Sequence, residues 1–178
     1  MVLKALSRDL PHKTEAGVIH LNLKNSVEVG AAHDAILARV AALSPAPRLD
    51  GVLVQKMAPQ GVDVIVGGRI DPLFGPLVVV GLGGVLVEVL NDTALAPAPI
   101  APAEAGALLR ELRAFLLLEG YRGLPRVDLA QLCEIICRAS EFIADQSQLV
   151  REFDLNPLIC TGGNITAVDA LVVRAVST

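Results

Sequence analysis

The sequence predicts an α+β fold with antiparallel sheets, and three observations predict it. Apolar residues make up 53% of the 178 residues and charged ones 19%, so the chain has a core to bury and is not a disordered polymer. Short runs rich in Val, Leu and Ile, bounded by Pro, Gly, Asp and Ser, recur along it as strands do. Stretches of helical periodicity lie among them, without the strict strand–helix alternation of a parallel sheet. Aromatics are only 3%, with no Trp, so the core is one of Val, Leu, Ile and Ala.

In chain order, VLKAL (2–6) and AGVIHLNL (16–23) read as strands separated by a polar turn. Ser26 offers an N-cap and Glu28 complements the dipole of the helix that follows. Val29, Ala32, Ile36, Leu37 and Val40 repeat at helical spacing, which gives a helix over 27–43. GVLVQKM (51–57) is a strand, and APQG (58–61) reads as a hinge that divides the chain into units 1–57 and 58–178. In the second unit, VDVIVGGRI (62–70) and PLVVVGL (76–82) form a hairpin across the Pro- and Gly-built turn DPLFG. GGVLVEVL (83–90) adds a strand, and NDTALAPAPIAP is a Pro-rich surface loop. A helix over 102–118 carries Leu108, Leu109, Leu112, Phe115 and Leu116 on one side. Another starts at Asp128, capped with Gln131 three residues on, and the chain closes with strands 149–159 and 164–174.

The formal charge of -4 gives no electrostatic footprint for nucleic acid or an anionic membrane. The longest uncharged stretch, Pro72 to Val87, is too short to span a bilayer and is interrupted by glycines. The N-terminus lacks the features of a signal peptide. Three cysteines, two of them four apart on a helix and one alone, read as buried thiols of a cytoplasmic protein rather than as disulfides or a zinc site.

The last hairpin carries the most chemistry. In LVREFDLNPLI, alternation puts Glu152, Asp154 and Asn156 on one face and Phe153 and Leu155 on the other. On the next strand, Asp169 shares its face with Ile165, Ala167 and Leu171. Carboxylates on an apolar face are costly unless paired or bound to a cation. Two carboxylates and an amide brought together by a hairpin make an all-oxygen site suited to Mg2+, whereas the alternative is a solvated face with Asp154 paired to Arg151 or Arg174. Lys4 stands in an apolar strand, aimed either at phosphate oxygens or, from a strand edge, at water. His12 and Lys13, at a turn before a glycine, suit phosphate handling, and His12 is a possible phosphoryl acceptor or simply an exposed turn residue. GLGG (81–84) is a turn whose N–H groups could cradle an anion.

Taken in order, K4-A-L-S, H12-K-T-E-A-G, L53-V-Q-K-M, G61-V-D-V-I-V-G-G, R69-I-D-P-L-F-G-P, G81-L-G-G-V-L-V-E-V, G120-Y-R-G, E152-F-D-L-N-P-L and A167-V-D-A form a series. This series resembles the ATP-grasp domain of NDP-forming acyl-CoA synthetases, relatives of succinyl-CoA synthetase β subunits, a module also fused to protein acetyltransferases. The resemblance spans nearly the whole chain. It implies an ATP-grasp fold of two α+β subdomains with mixed or antiparallel sheets, whose N-terminal one lacks its first helix and strand here.

The resemblance also implies roles. Lys4 matches the lysine that contacts ATP phosphates, and Gly17 falls in the small-residue phosphate loop. Gln55, Lys56 and Met57 match the hinge that packs on adenine, and Asp63 an acidic nucleotide contact. Asn156 and Asp169 match the Mg2+ ligands, with Asp154 beside them. Gly83, Gly84 and Glu88 match a loop facing the incoming phosphoryl carrier, and His12 the relay histidine. The implied chemistry converts acyl-CoA, phosphate and ADP to acid, CoA and ATP through a phosphohistidine, with a CoA-binding, phosphohistidine-bearing domain or subunit as partner in an oligomer. This chain alone is expected to be inactive. Two departures stand out: Val18 replaces a second glycine and is expected to crowd the phosphate loop, and Asp63 replaces a longer Glu. A second reading is a non-catalytic remnant that senses nucleotide or acyl-CoA or holds partners, and a third is a carboxylate–amine ligase, which needs no relay histidine.

Overall fold

The computed structural model describes residues 1–10, 13, 15–84 and 91–175, and the chain divides into two units, Met1–Met57 and Ala58–Thr178. In the first, β1 (Val2–Leu6) is the centre of a three-stranded antiparallel sheet, flanked by β2 (Ile19–His20) and β3 (Gly51–Gln55). Helix α1 (Ser26–Ala41) covers one face, because Ala32, Ile36 and Val40 recur every fourth residue and meet Leu3, Ala5 and Val18 in a small core. Its N-cap is Asn25 rather than the expected Ser26. The Asn25 side chain accepts the Glu28 N–H at 2.9 Å, and the Glu28 carboxylate accepts the Lys24 N–H at 2.8 Å. A side-chain oxygen reaches the N–H three residues on, and only Asn25 has a Glu at that spacing to return the bond.

The second unit holds a larger sheet in the order β6 (Thr93–Pro97), β5 (Gly75–Leu82), β4 (Val62–Asp71), β7 (Val150–Cys160) and β8 (Ile165–Ala167), with β9 (Ala170–Arg174) also paired to β7. All pairings are antiparallel. Helices α2 (Pro102–Arg110) and α3 (Leu129–Asp145) contribute Leu108, Leu109, Leu132, Ile136 and Ile143 to a core shared with Val64, Val66, Val78 and Val80 of the sheet. Helix α3 starts as expected, the Asp128 carboxylate accepting the Gln131 N–H at 3.0 Å. Gly68 makes room for Phe153: a Cβ there would lie 2.4 Å from the Phe153 ring.

Three expected elements come out differently. The run 16–23 is a strand only at Ile19–His20, and Thr93–Pro97, expected as loop, is an edge strand that buries Ala94. Its Pro97 lies at the strand end, where no ladder donor is required. The helix expected to reach 118 stops at Arg110 and gives way to a 3-10 turn at Phe115–Leu117. The cause is Asp92, buried at the base of β6, whose carboxylate accepts the N–H groups of Arg113 at 2.8 Å and Ala114 at 2.9 Å. Those donors are thereby withdrawn from the helical ladder, and Leu116 ends up exposed. The strand expected over 83–90 lies, beyond Gly84, outside the described residues.

Candidate functional site

The face of the second sheet away from α2 and α3 is where the carboxylates stand. Directly paired residues share a face, so Val64 with Leu158, Val66 with Leu155 and Gly68 with Phe153 mark the core side. Asp63 with Ile159, Gly67 with Asp154 and Arg69 with Glu152 mark the opposite side. Between Val64 and Val66 the register shifts, with one more residue on β7 than on β4. The extra length is spent at Asn156–Pro157.

There the Asn156 N–H donates to the Asp169 carbonyl at 3.3 Å and the Val168 N–H to the Pro157 carbonyl at 3.1 Å, so Asn156 and Asp169 are cross-strand neighbours. The Ala170 N–H donates to Asp169 Oδ1 at 3.1 Å, which ties that carboxylate to its own strand. Asp154 sits two residues before Asn156, opposite Leu171 of β9. Asp154 and Asp169 are half-buried and Asn156 is exposed.

One expectation is corrected. Asp169 does not share a face with Ile165 and Ala167, which pair with the buried Cys160 and Leu158 on the core side. The strand is interrupted at Val168–Asp169, and there it changes face.

The donor set is two carboxylates and an amide oxygen, which matches a hard divalent cation rather than a thiolate- or imidazole-seeking one. Among the described residues no group of three or more His, Cys, Asp and Glu side chains is placed to hold a metal ion, and the third oxygen donor here is the amide of Asn156. Gly67 keeps the floor opposite Asp154 low: a Cβ there would come 3.8 Å from Asp154 Oδ1. The residues present fit Mg2+.

Asp63, Gly83 and Gly84 come together, which sequence spacing alone did not show. The Gly83 N–H donates to the Asp63 carbonyl at 2.7 Å, and a Cβ on Gly83 would lie 2.9 Å from that of Asp63. Burial raises the Asp63 carboxyl above the usual carboxylate range. Burial, with Asp63 nearby, pushes the Cys160 thiol up to about 12, as suits an inert core thiol. All three cysteines are free. Glu88 lies outside the described residues.

In the first unit, Lys4 lies in the central strand and is 6% exposed, so the reading of a lysine at a strand edge reaching water does not hold. Leu3 and Ala5 face α1, which places Lys4 on the other side of the sheet, opposite Ile19 and Leu53. Gln55 ends β3, exposed; Lys56 is exposed and Met57 half-buried where the unit ends. His12 lies outside the described residues.

Gly17 sits at φ +69°, a conformation that suits glycine, and Val18 after it is fully buried against Leu3, Ala5 and Ile36. The expected crowding by Val18 is therefore corrected: its side chain points into the core, away from the loop surface. Sequence reading also passed over Arg39, whose Nε donates to the Ala16 carbonyl at 2.9 Å; its position at the end of a helix was the only hint.

The family model of the ATP-grasp domain matches residues 1–173. This chain belongs to the ATP-grasp family. Two relatives show the scope of the match. The acetate–CoA ligase [ADP-forming] I subunit beta of Pyrococcus furiosus is 36% identical over 173 residues, which are 97% of this chain and 74% of that subunit. A trans-feruloyl-CoA synthase from an unknown prokaryotic organism is 40% identical over 174 residues, 97% of this chain but 24% of that protein. This ATP-grasp chain thus spans about a quarter of one relative and three quarters of the other.

Among solved structures, dinucleotide forming acetyl-coenzyme A synthetase 1 of Ca. Korarchaeum cryptofilum, in complex with coenzyme A, Ca-AMPCP and HgCl+, matches with a TM-score of 0.92 at 37% identity. The match covers 98% of this chain and 76% of that one. The same enzyme in complex with coenzyme A and Mg-AMPPCP matches with a TM-score of 0.80 at 34% identity, over 98% of this chain and 76% of that one. The ATP-grasp fold and α+β class are those expected, and among the described residues no helix is long and apolar enough to cross a membrane.

Proposed function

We propose that this chain is the nucleotide-binding part of an ADP-forming acyl-CoA synthetase, acting on Mg2+-ADP and Mg2+-ATP. The observation that carries the reading is the Asn156–Asp169 pair, two oxygen-bearing residues brought side by side by the β7–β9 hairpin with Asp154 next to them. The solved relative holds Mg-AMPPCP, which supports the assignment of that pair to the nucleotide's metal. Mg2+, when bound, neutralises phosphate charge and fixes the phosphate oxygens.

The chain's own residues divide the remaining work. Asn156 and Asp169 hold the cation through oxygen, and Asp154 adds negative charge beside them. Lys4, buried in its strand, offers a point charge to phosphate oxygens. Gly17 allows the loop backbone to approach the phosphates, and Gln55, Lys56 and Met57 pack on the base. Asp63 contacts the nucleotide, while Gly83, Gly84 and Glu88 face the phosphoryl carrier. His12 is the relay histidine of this part. The partner is a CoA-binding domain or subunit that bears the main phosphohistidine, and the substrate is an acyl-CoA or, in the reverse direction, the organic acid. The setting is the cytoplasm.

Calorimetric titration of the chain with ADP and ATP, with and without Mg2+, tests this, alongside Lys4→Ala. Binding that requires Mg2+ and weakens at least tenfold in Lys4→Ala is expected, since a charge-assisted contact to phosphate is worth about 1.5–3 kcal/mol. A folded chain with no affinity for either nucleotide would count against the reading.

A further inference from the structure

We propose that Arg39 is a positioning residue that sets the backbone of the Glu15–Gly17 turn. The inference rests on the nucleotide reading for its consequence, because that turn is the loop assigned to the phosphates.

Three ties hold the turn. Val18, fully buried, anchors its C-terminal side in the core, and its carbonyl accepts the Ala5 N–H at 3.0 Å. The Val18 N–H donates back to the Lys13 carbonyl at 3.1 Å and closes the loop locally. The third comes from 23 residues away: Arg39, in the last turn of α1, donates Nε–H to the Ala16 carbonyl at 2.9 Å. Arg39 lies close over the turn, since a Cβ on Gly17 would be only 3.5 Å from its Nε.

The side chain of Arg39 is exposed, so it fills no core volume. Complementing the helix dipole from the last turn needs only a positive charge, which a lysine would supply equally. A hydrogen bond from Nε to one particular carbonyl is a different requirement. By fixing the Ala16 carbonyl it fixes the peptide plane that Ala16 shares with Gly17. The direction of the Gly17 N–H, the group that the nucleotide reading aims at a phosphate, follows from that plane.

This gives a test that separates a directed bond from a charge. Glutamine carries Nε2 at the same point along the side chain as the arginine Nε, so Arg39→Gln keeps a donor there and removes the charge. Arg39→Lys keeps the charge and places a methylene at that point. On the full 178-residue chain, Arg39→Ala and Arg39→Lys are expected to speed hydrogen exchange of the Val18 amide about tenfold and to weaken Mg2+-ADP binding about five- to tenfold. Arg39→Gln should stay within about twofold of the natural chain in both, as the preserved bond requires.

The opposite ranking, with lysine preserving and glutamine losing affinity, would make Arg39 a charge rather than a latch and overturn the proposal. So would unchanged exchange in Arg39→Ala, or altered exchange with unchanged nucleotide affinity. A natural chain that binds no nucleotide would remove the phosphate role together with the functional reading, while the exchange rates would still decide whether Arg39 holds the turn.

Discussion

The two units use one device, a helix-covered antiparallel sheet, at very different scales. Among the described residues the first unit gathers six buried apolar residues around α1, and the second gathers twenty-three around α2 and α3. Among the described residues each also buries one charged residue, and the contrast between them is instructive. Asp92 of the second unit has a structural task, since both carboxylate oxygens accept backbone N–H groups and shape the end of α2. Lys4 of the first is buried mid-strand on the face of the sheet turned away from that core. Under the proposed function its task is ligand chemistry, a point charge offered to phosphate oxygens.

Equivalent truncations in the two cores test the difference in scale. Ile36→Ala and Ile136→Ala each remove a fully buried side chain and should cost about 2–5 kcal/mol. In the smaller core this loss is expected to erase most hydrogen-exchange protection across residues 1–57. In the larger one, the central strands β4 and β7 should remain protected. Equal damage to both would show that core size is not what sets their resilience.

The polar sheet face should respond in the opposite way, with a large loss of binding and little loss of stability. The double substitution Asn156→Ala, Asp169→Ala is expected to weaken Mg2+-dependent nucleotide binding roughly a hundredfold. Its melting temperature should fall by no more than a few degrees, since Asn156 is exposed and Asp169 half-buried. Unchanged affinity would remove the metal assignment.

The smallest effect is expected at Asp92. Asp92→Ala leaves the Arg113 and Ala114 N–H groups without their acceptor and should cost about 1–3 kcal/mol in urea unfolding. Asp92→Asn retains one acceptor oxygen and should recover part of it. A neutral outcome would mean that water replaces the carboxylate at no cost.

Much of this was legible in the residues because it depends on local pattern. The Val62–Asp71 and Gly75–Leu82 hairpin, the Asp128 cap and α1 come from periodicity and turn chemistry within a few residues. The shared face of Glu152 and Asp154 followed from strand alternation, which holds as far as the strand stays regular, up to the bulge at Asn156–Pro157. It misled for Asp169 because the break at Val168–Asp169 changes the parity. The same limit explains α2, whose apolar stripe continues past Arg110 in sequence while a carboxylate from β6 claims the next N–H groups.

By itself, the sequence determined the class of fold, the order of most elements, the family resemblance and the oxygen-donor residue types from which the proposed magnesium site is drawn. Those follow from side-chain period, backbone preference and donor type, all carried within single segments. Only the tertiary structure decided that Lys4 is buried at the centre of its sheet, that Val18 turns into the core, and that Asn156 meets Asp169 across a hairpin. The pairing of Arg39 with Ala16 across 23 residues was decided there too. The reason is common to all four: each depends on which distant segment comes to lie alongside, and that is set by the packing of sheet and helix rather than by any local pattern.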